Sequence, residues 1–185
     1  MVMNQNQAIL WIDSGDTLVD ESTEIRPDES GVVFEAKLSE GAAETLRLLK
    51  REGYRIALVA DGLAQSFENI YTKYNLRELF DAWIISEKVG CEKPSCEMFE
   101  AALEAMDLTE ADKCRIVMAG NNLQRDILGA NRFGIHSCHV TWSPRYRMTP
   151  ETSDEVPEYR IASIRELPEV LRAVEKQNSI NRFET

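Results

Sequence analysis

Positive charge is scarce in this chain. Lys and Arg together number 21 against 32 Asp and Glu, for a formal net charge of -11 at pH 7. That balance argues against a protein that grips nucleic acid or an anionic membrane through a broad basic face. Long apolar runs are also missing, so no segment is expected to cross a bilayer. The opening "MVMNQNQ" lacks the charged and apolar regions of an export signal. Only four cysteines occur, Cys91, Cys96, Cys114 and Cys138, and their spacing matches no zinc or redox pattern. Reduced thiols in a cytoplasmic protein are the expectation. The two histidines both fall in "HSCH" at 136–139. On a strand His136 and Cys138 face one way and Ser137 and His139 the other. The segment therefore reads as plain strand, not as a metal site. Internal repeats and low-complexity stretches are absent as well.

What the chain does have is alternation. Its 185 residues, 43% hydrophobic and 29% charged, suit one domain over 1–185 with a sizeable core. Short apolar runs recur: "AILWI" at 8–12, "IALVA" at 56–60, "AWII" at 82–85 and "IVMA" at 116–119, with a weaker "CHVTW" at 138–142. Continuous runs of this length suit strands buried on both faces. Between them, apolar residues recur at helical spacing, as in Leu63, Phe67, Ile70 and Tyr74, or Leu123, Ile127 and Ala130. Strand and helix in turn predict an α/β fold: a parallel, Rossmann-like sheet between two layers of helices. A last strand and helix are expected at about 158–175, with a frayed tail after them.

Such sheets bind ligands at the carboxyl ends of their strands. The residues just past the runs are Asp13, Asp61-Gly62, Ser86 and Gly120-Asn121-Asn122. A carboxylate ending a buried strand is tolerable where that end opens into a crevice. Lys93, in "EKPSCEMF", precedes a helix expected to be capped by Ser95. A cation at a helix N-terminus is misplaced unless an anion lies nearby. "GNNLQRD" opens a helix directly after a strand, where free backbone N–H groups suit an anion, or where an Asn simply caps the helix.

At these residues, from about 8 to about 142, the chain resembles the haloacid dehalogenase (HAD) superfamily. The first motif of that family usually reads Asp-x-Asp-Gly-Thr-Leu, and here it reads "DSGDTL". Asp13 matches the nucleophile, and Thr17 and Leu18 match the motif's end. The second motif, a Ser or Thr, falls on Ala60; the third, a lysine, falls on Lys93. The fourth, Gly-Asp followed by a second Asp, reads "GNNLQRD", with Asn121 for the first Asp and Asp126 for the second. The resemblance implies a magnesium-dependent phosphomonoester hydrolase working through an aspartyl-phosphate. Asp13 and Lys93 would be catalytic. Asp61, Gly62, Lys93, Gly120 and Asn122 would bind substrate. Asp13, Gly15 (through its carbonyl), Asn121 and Asp126 would hold the metal.

The departures from the pattern bear on chemistry. In the family, the second Asp of the first motif protonates the leaving oxygen and then deprotonates water. Gly15 cannot transfer a proton, and such catalysis is worth ~10²–10⁴ in rate. Asp16 stands one residue later: it either swings round to serve as the acid or, the expectation, projects elsewhere, because neighbouring residues in an extended turn point differently. Ala60 removes a hydroxyl donor worth ~1.5–3 kcal/mol to a charged group. Asn121 keeps an oxygen but loses a charge that magnesium favours. Weak or atypical turnover is the expectation. A regulatory or anion-binding protein on the same fold, or an oligomeric interaction module, stands as the alternative.

The insert at about 19–40 is too short for a cap domain and is expected to form a hairpin-like flap around Val32 to Leu38. The crevice is then open to a phosphorylated small molecule, a larger phosphorylated substrate, or a second copy of the chain. In "WSPRYRMTP", Arg145 and Arg147 alternate with Trp142 and Tyr146. This loop either takes an anion or partner, or is neutralised by Glu151, Asp154 and Glu155.

Overall fold

The apolar runs become the strands of one sheet in a computed structural model that describes residues 7–181. In chain order the elements are β1 (Ile9–Ile12), β2 (Val19–Ile25), β3 (Glu35–Leu38), α1 (Ala42–Arg51), β4 (Arg55–Ala60), α2 (Ala64–Lys73) and β5 (Ala82–Ile85). Then come α3 (Ser86–Val89), α4 (Cys96–Ala105), β6 (Ile116–Gly120), α5 (Leu128–Phe133), β7 (His136–Val140), β8 (Tyr159–Ile161) and α6 (Leu167–Asn181). Six strands pair in parallel in the order β5-β4-β1-β6-β7-β8. The chain builds outward from β1 through β4 to β5, then crosses to β6 and builds the other way. The reversal puts a crevice at the carboxyl ends of β1 and β6, where open α/β sheets bind ligands.

Alternation along β1 divides the core into two layers. Leu10 and Ile12 pack with Leu46 and Leu49 of α1, Phe67 of α2 and Leu171 of α6. Ile9 and Trp11 pack with Met98, Phe99 and Ala102 of α4 and Ala130 of α5. Both sets are almost wholly buried. At ~1.5–3 kcal/mol per large apolar side chain, this burial fixes the register of β1 and the position of its last residue.

Three expectations need correction. The flap is a hairpin, but its first strand is β2, which starts directly after the first motif and pairs antiparallel with β3; Val32 to Phe34 are not strand. Helix α6 runs on to Asn181 instead of fraying after 175. Its last turns are tied down: Glu175 accepts from the Ala8 N–H at 3.1 Å, and Asn178 donates to the Cys114 carbonyl at 2.7 Å. Ser95 sits at the N-cap of α4 without capping it, because its hydroxyl bonds to Glu97 instead of a backbone N–H. The stretch 1–6, where the missing export signal was read, and the last four residues lie outside the described residues. No described helix is long and apolar enough to cross a membrane.

Candidate active site

Asp13 continues the β1 ladder by one residue, its N–H donating to the Ala119 carbonyl at 2.9 Å. The chain then folds back, since the Ser14 carbonyl accepts from the N–H groups of Thr17, Leu18 and Val19. The Ser14 and Tyr71 hydroxyls bond at 2.8 Å and anchor this turn to α2. Asp13 is thus presented at the floor of the crevice with one oxygen on Thr17, whose hydroxyl donates at 3.3 Å.

Lys93 takes the other oxygen. Its ammonium donates to Asp13 Oδ1 at 2.7 Å and to the Val59 carbonyl at 2.7 Å, and lies 2.8 Å from Asp126 Oδ1. Burial alone would lower its pKa, but the carboxylates of Asp126, Asp13 and Asp61 outweigh burial and raise it. The lysine is therefore charged, and it joins the ends of β1, β4 and the turn after β6. Lys93 thus brings Asp13 and Asp126 together at one crevice.

Asp126 reaches that point through an unusual turn. Leu123–Ile127 is π-helical, one residue wider per turn than α5, which follows it. Such widened turns often mark functional sites. The Asp126 side chain folds back over Gly120, where a Cβ would meet Asp126 Oδ2 at 2.2 Å. Asp126 Oδ2 accepts from the Asn122 N–H at 3.0 Å. Burial raises the Asp126 carboxyl well above the usual range, against the pull of Lys93.

Several expected phosphate contacts have other employment. Asn122 Oδ1 caps the turn by accepting from the N–H groups of Gln124 (2.9 Å) and Arg125 (3.2 Å). Three N–H groups at this helix start, those of Asn122, Gln124 and Arg125, are therefore already bonded within the protein. The Gly62 N–H donates to Ser86 Oγ at 2.9 Å. Asp61 accepts from the Lys93 N–H at 3.0 Å and from Arg125 Nη1 at 3.3 Å, so it positions cations. Asn121 is buried, and its Nδ2 has no hydrogen-bond partner among the described residues. His139 donates from Nε2 to the Asn121 carbonyl at 3.1 Å, while His136 pairs with Glu158 across 2.6 Å, so the two histidines of "HSCH" diverge.

The pocket also holds residues to which motif reading gave no role. Glu21, Arg125 and Tyr146 line the same pocket as Asp13, Gly15, Asp61, Lys93, Asn121, Asn122 and Asp126. Asp16 adopts φ 47, a left-handed conformation that Asp tolerates better than most residues. It points to the flap, its Oδ1 accepting from the Glu21 N–H at 3.1 Å. Arg145 Nη1 lies 3.0 Å from Glu21 Oε2 and 3.6 Å from Asp16 Oδ2. Arg147 instead pairs with Glu155 and Glu151 on its own loop, and Asp154 pairs with Arg132. Burial raises the Glu21 carboxyl, with Arg145 opposing and Glu24, Asp16 and Asp13 adding to the rise. The only available signal for Glu21 was an acid in the insert beside a motif that had lost one.

The donors on offer suit a hard cation. Asp13 and Asp126 give carboxylate oxygens and Gly15 a backbone carbonyl, the oxygen set magnesium takes alongside water and substrate phosphate. No three His, Cys, Asp or Glu side chains gather as a metal cage among the described residues. The lining nevertheless carries Asp13, Glu21, Asp61 and Asp126 against Lys93 and Arg125. A pocket with that excess of carboxylate accepts a phosphate only once added positive charge offsets it.

Comparison with known proteins places the chain in a family. Residues 5–134 match the haloacid dehalogenase-like hydrolase family, and the chain belongs to it. It is 30% identical over 132 residues to a glyceraldehyde 3-phosphate phosphatase of Methanopyrus kandleri, covering 71% of this chain and 55% of that one. It is also 30% identical over 131 residues to the pyrimidine 5'-nucleotidase YjjG of Escherichia coli, with the same two coverages. The chain thus spans about half the length of the curated relatives it matches. A crystal structure of an uncharacterized protein from Listeria monocytogenes serotype 4b aligns with TM-score 0.72 at 24% identity, covering 91% of this chain and 99% of that one. A HAD-superfamily hydrolase from Ehrlichia chaffeensis aligns with TM-score 0.69 at 16% identity, covering 91% and 98%. At these identities the two structures speak for the fold alone.

Proposed function

We propose that this hydrolase cleaves small phosphomonoesters through a phosphoryl group carried on Asp13. One observation carries the reading: Lys93, buried and charged, holds Asp13 at the end of the central strand and ties it to Asp126. A carboxylate oriented by a fixed ammonium is a nucleophile that needs no deprotonation. Among the described residues Asp13 Oδ2 accepts a hydrogen bond from Thr17 alone, at 3.3 Å, and it is the oxygen we assign to the attack. Lys93 and Arg125 would face a phosphate once added cation charge offsets the carboxylates around them. Relatives named for phosphatase and nucleotidase activity support a phosphorylated small molecule as substrate class. A reducing compartment such as the cytoplasm suits the four free thiols.

Magnesium fits the donor set described above, held by Asp13, the Gly15 carbonyl and Asp126, with Asn121 as a neutral neighbour. When bound, it supplies positive charge that offsets phosphate in the transition state. Because Asn121 carries no charge, the site is expected to bind the ion more weakly than a site with three carboxylates. Calorimetric titration checks this, with Asn121→Asp expected to tighten binding.

The reading is tested with a panel of phosphomonoesters, with and without magnesium, on the unaltered chain and on Asp13→Asn. Release of phosphate that disappears in Asp13→Asn supports it. Release that survives that substitution overturns it, as does no release from any ester.

A further inference from the structure

Where the family pattern places a proton-transferring carboxylate, this chain has Gly15, yet the space beside that glycine is filled. A Cβ built on residue 15 would lie 1.8 Å from Glu21 Oε1 and 2.7 Å from its Cδ. The Glu21 carboxylate thus stands where a side chain of residue 15 would begin, in the pocket shared with Asp13 and Lys93. We propose that Glu21 is the catalytic acid and base of this site, delivered from the flap into the space that Gly15 leaves open. The inference rests on the phosphomonoesterase reading above.

Three features hold the carboxylate there. The Glu21 N–H donates to Asp16 Oδ1 at 3.1 Å. Arg145 Nη1 lies 3.0 Å from Glu21 Oε2, leaving Oε1 as the oxygen over Gly15. The β2–β3 pairing shifts register between Asp20 and Ile25, and irregularities of this kind re-aim a side chain. The exchange of Asp and Gly at positions 15 and 16 then has a single explanation. Glycine at 15 clears the space, and aspartate at 16 pins the strand that fills it. An anchor for Arg145 alone would explain neither feature. Arg145 is half exposed, and exposed pairs of this kind add little to stability.

The proposed chemistry balances in two steps. Asp13 Oδ2 attacks phosphorus and the ester P–O bond breaks. The departing oxygen takes the proton of the Glu21 carboxylic acid, giving an alcohol, a phosphorylated Asp13 and a Glu21 carboxylate. That carboxylate then takes a proton from water as the water oxygen attacks phosphorus. The Asp13–phosphate bond breaks, returning the Asp13 carboxylate, inorganic phosphate and protonated Glu21.

The test compares an alkyl phosphate, glycerol phosphate, with 4-nitrophenyl phosphate, whose leaving oxygen needs little protonation. Both are measured with magnesium on the unaltered chain, Asp13→Asn, Glu21→Gln, and Glu21→Gln combined with Gly15→Asp. Circular dichroism verifies folding. Glu21→Gln is expected to lower kcat on the alkyl ester by ~10²–10⁴-fold and to affect the aryl ester less in its first turnover. A burst of nitrophenolate and a trapped phospho-Asp13 should accompany the slow second step. Adding Gly15→Asp should restore part of the alkyl-ester rate, because the acid returns to the adjacent loop position. Equal losses on both esters without a burst would overturn the role of Glu21, as would no loss at all, while activity abolished by Asp13→Asn would leave the phosphomonoesterase reading standing. An unaltered chain that turns over neither ester, while releasing phosphate from others of the panel, would overturn the role of Glu21 on such substrates, and no release across the panel would overturn the phosphomonoesterase reading.

Discussion

On the β6 side of the crevice, Gly120 makes room for Asp126; on the β1 side, Gly15 makes room for Glu21. In each case a missing side chain is the space into which a carboxylate folds. The two walls differ in how the acid is held. The Asp126 side chain is 1% exposed and ion-paired to Lys93, on a turn built directly from the six-stranded sheet. The Glu21 side chain is 23% exposed, paired with a half-exposed Arg145, and carried by a two-stranded flap. The comparison assigns work accordingly. A group that fixes charge sits in the rigid wall, and a group that must gain and lose a proton sits where water reaches it.

Substitutions that remove support from one wall and not the other sharpen this contrast. The largest effect is expected for Lys93→Met, which leaves Asp13 and Asp126 buried without their cation. Breaking such a buried set costs ~3–5 kcal/mol, read as a lower denaturant midpoint. Next comes Gly120→Ala. Its Cβ would meet Oδ2, Cγ and Cβ of Asp126 at 2.2, 2.3 and 2.7 Å, and that buried side chain has nowhere to move. Overpacking of this kind costs ~1–3 kcal/mol, and phosphate release should fall with it. Asn122→Ala removes the cap of the turn carrying Asp126, a loss of about 1 kcal/mol by the same measurement. Gly15→Ala should be the mildest for stability, within about 0.5 kcal/mol, since it displaces only the flexible end of Glu21. Its turnover of an alkyl phosphate should nonetheless drop. If Gly15→Ala proved as destabilising as Gly120→Ala, the two walls would be equally rigid and the contrast would fail.

How much of this was legible beforehand follows the same division. The strand-end acids and the parallel sheet could be read because each lies at an apolar run, and the Asp13–Lys93–Asp126 set because its residues match the family's motifs. Local pattern and tertiary position coincide there. The employment of Asn122 and Gly62 could not be read, since a turn N–H looks the same in sequence whether it is free or already bonded to Asp126 or Ser86. Glu21 was invisible for a different reason. Its neighbour across the site, Gly15, is close in sequence, but only the fold-back at Ser14 and the pairing of β2 with β3 turn that nearness into contact. Asp16 and Arg145, more than a hundred residues apart, meet only because the loop after β7 passes over that turn.

The flap's two-strand construction sets a local thermodynamic scale of its own. A lone hairpin is marginal in water, and this one is tethered through the Val33 N–H to Ser66 Oγ, the Tyr74 hydroxyl to the Ala36 carbonyl, and Ser39 Oγ to the Thr17 carbonyl. Its amides should exchange with solvent through openings far smaller than global unfolding, while those of β1 and β6 wait for the whole domain. Two stabilities are then expected, the lower one deciding what fraction of molecules has its crevice fully assembled at any instant. Temperature or denaturant would deplete that fraction well before the sheet melts, so catalytic loss should precede the loss of secondary structure.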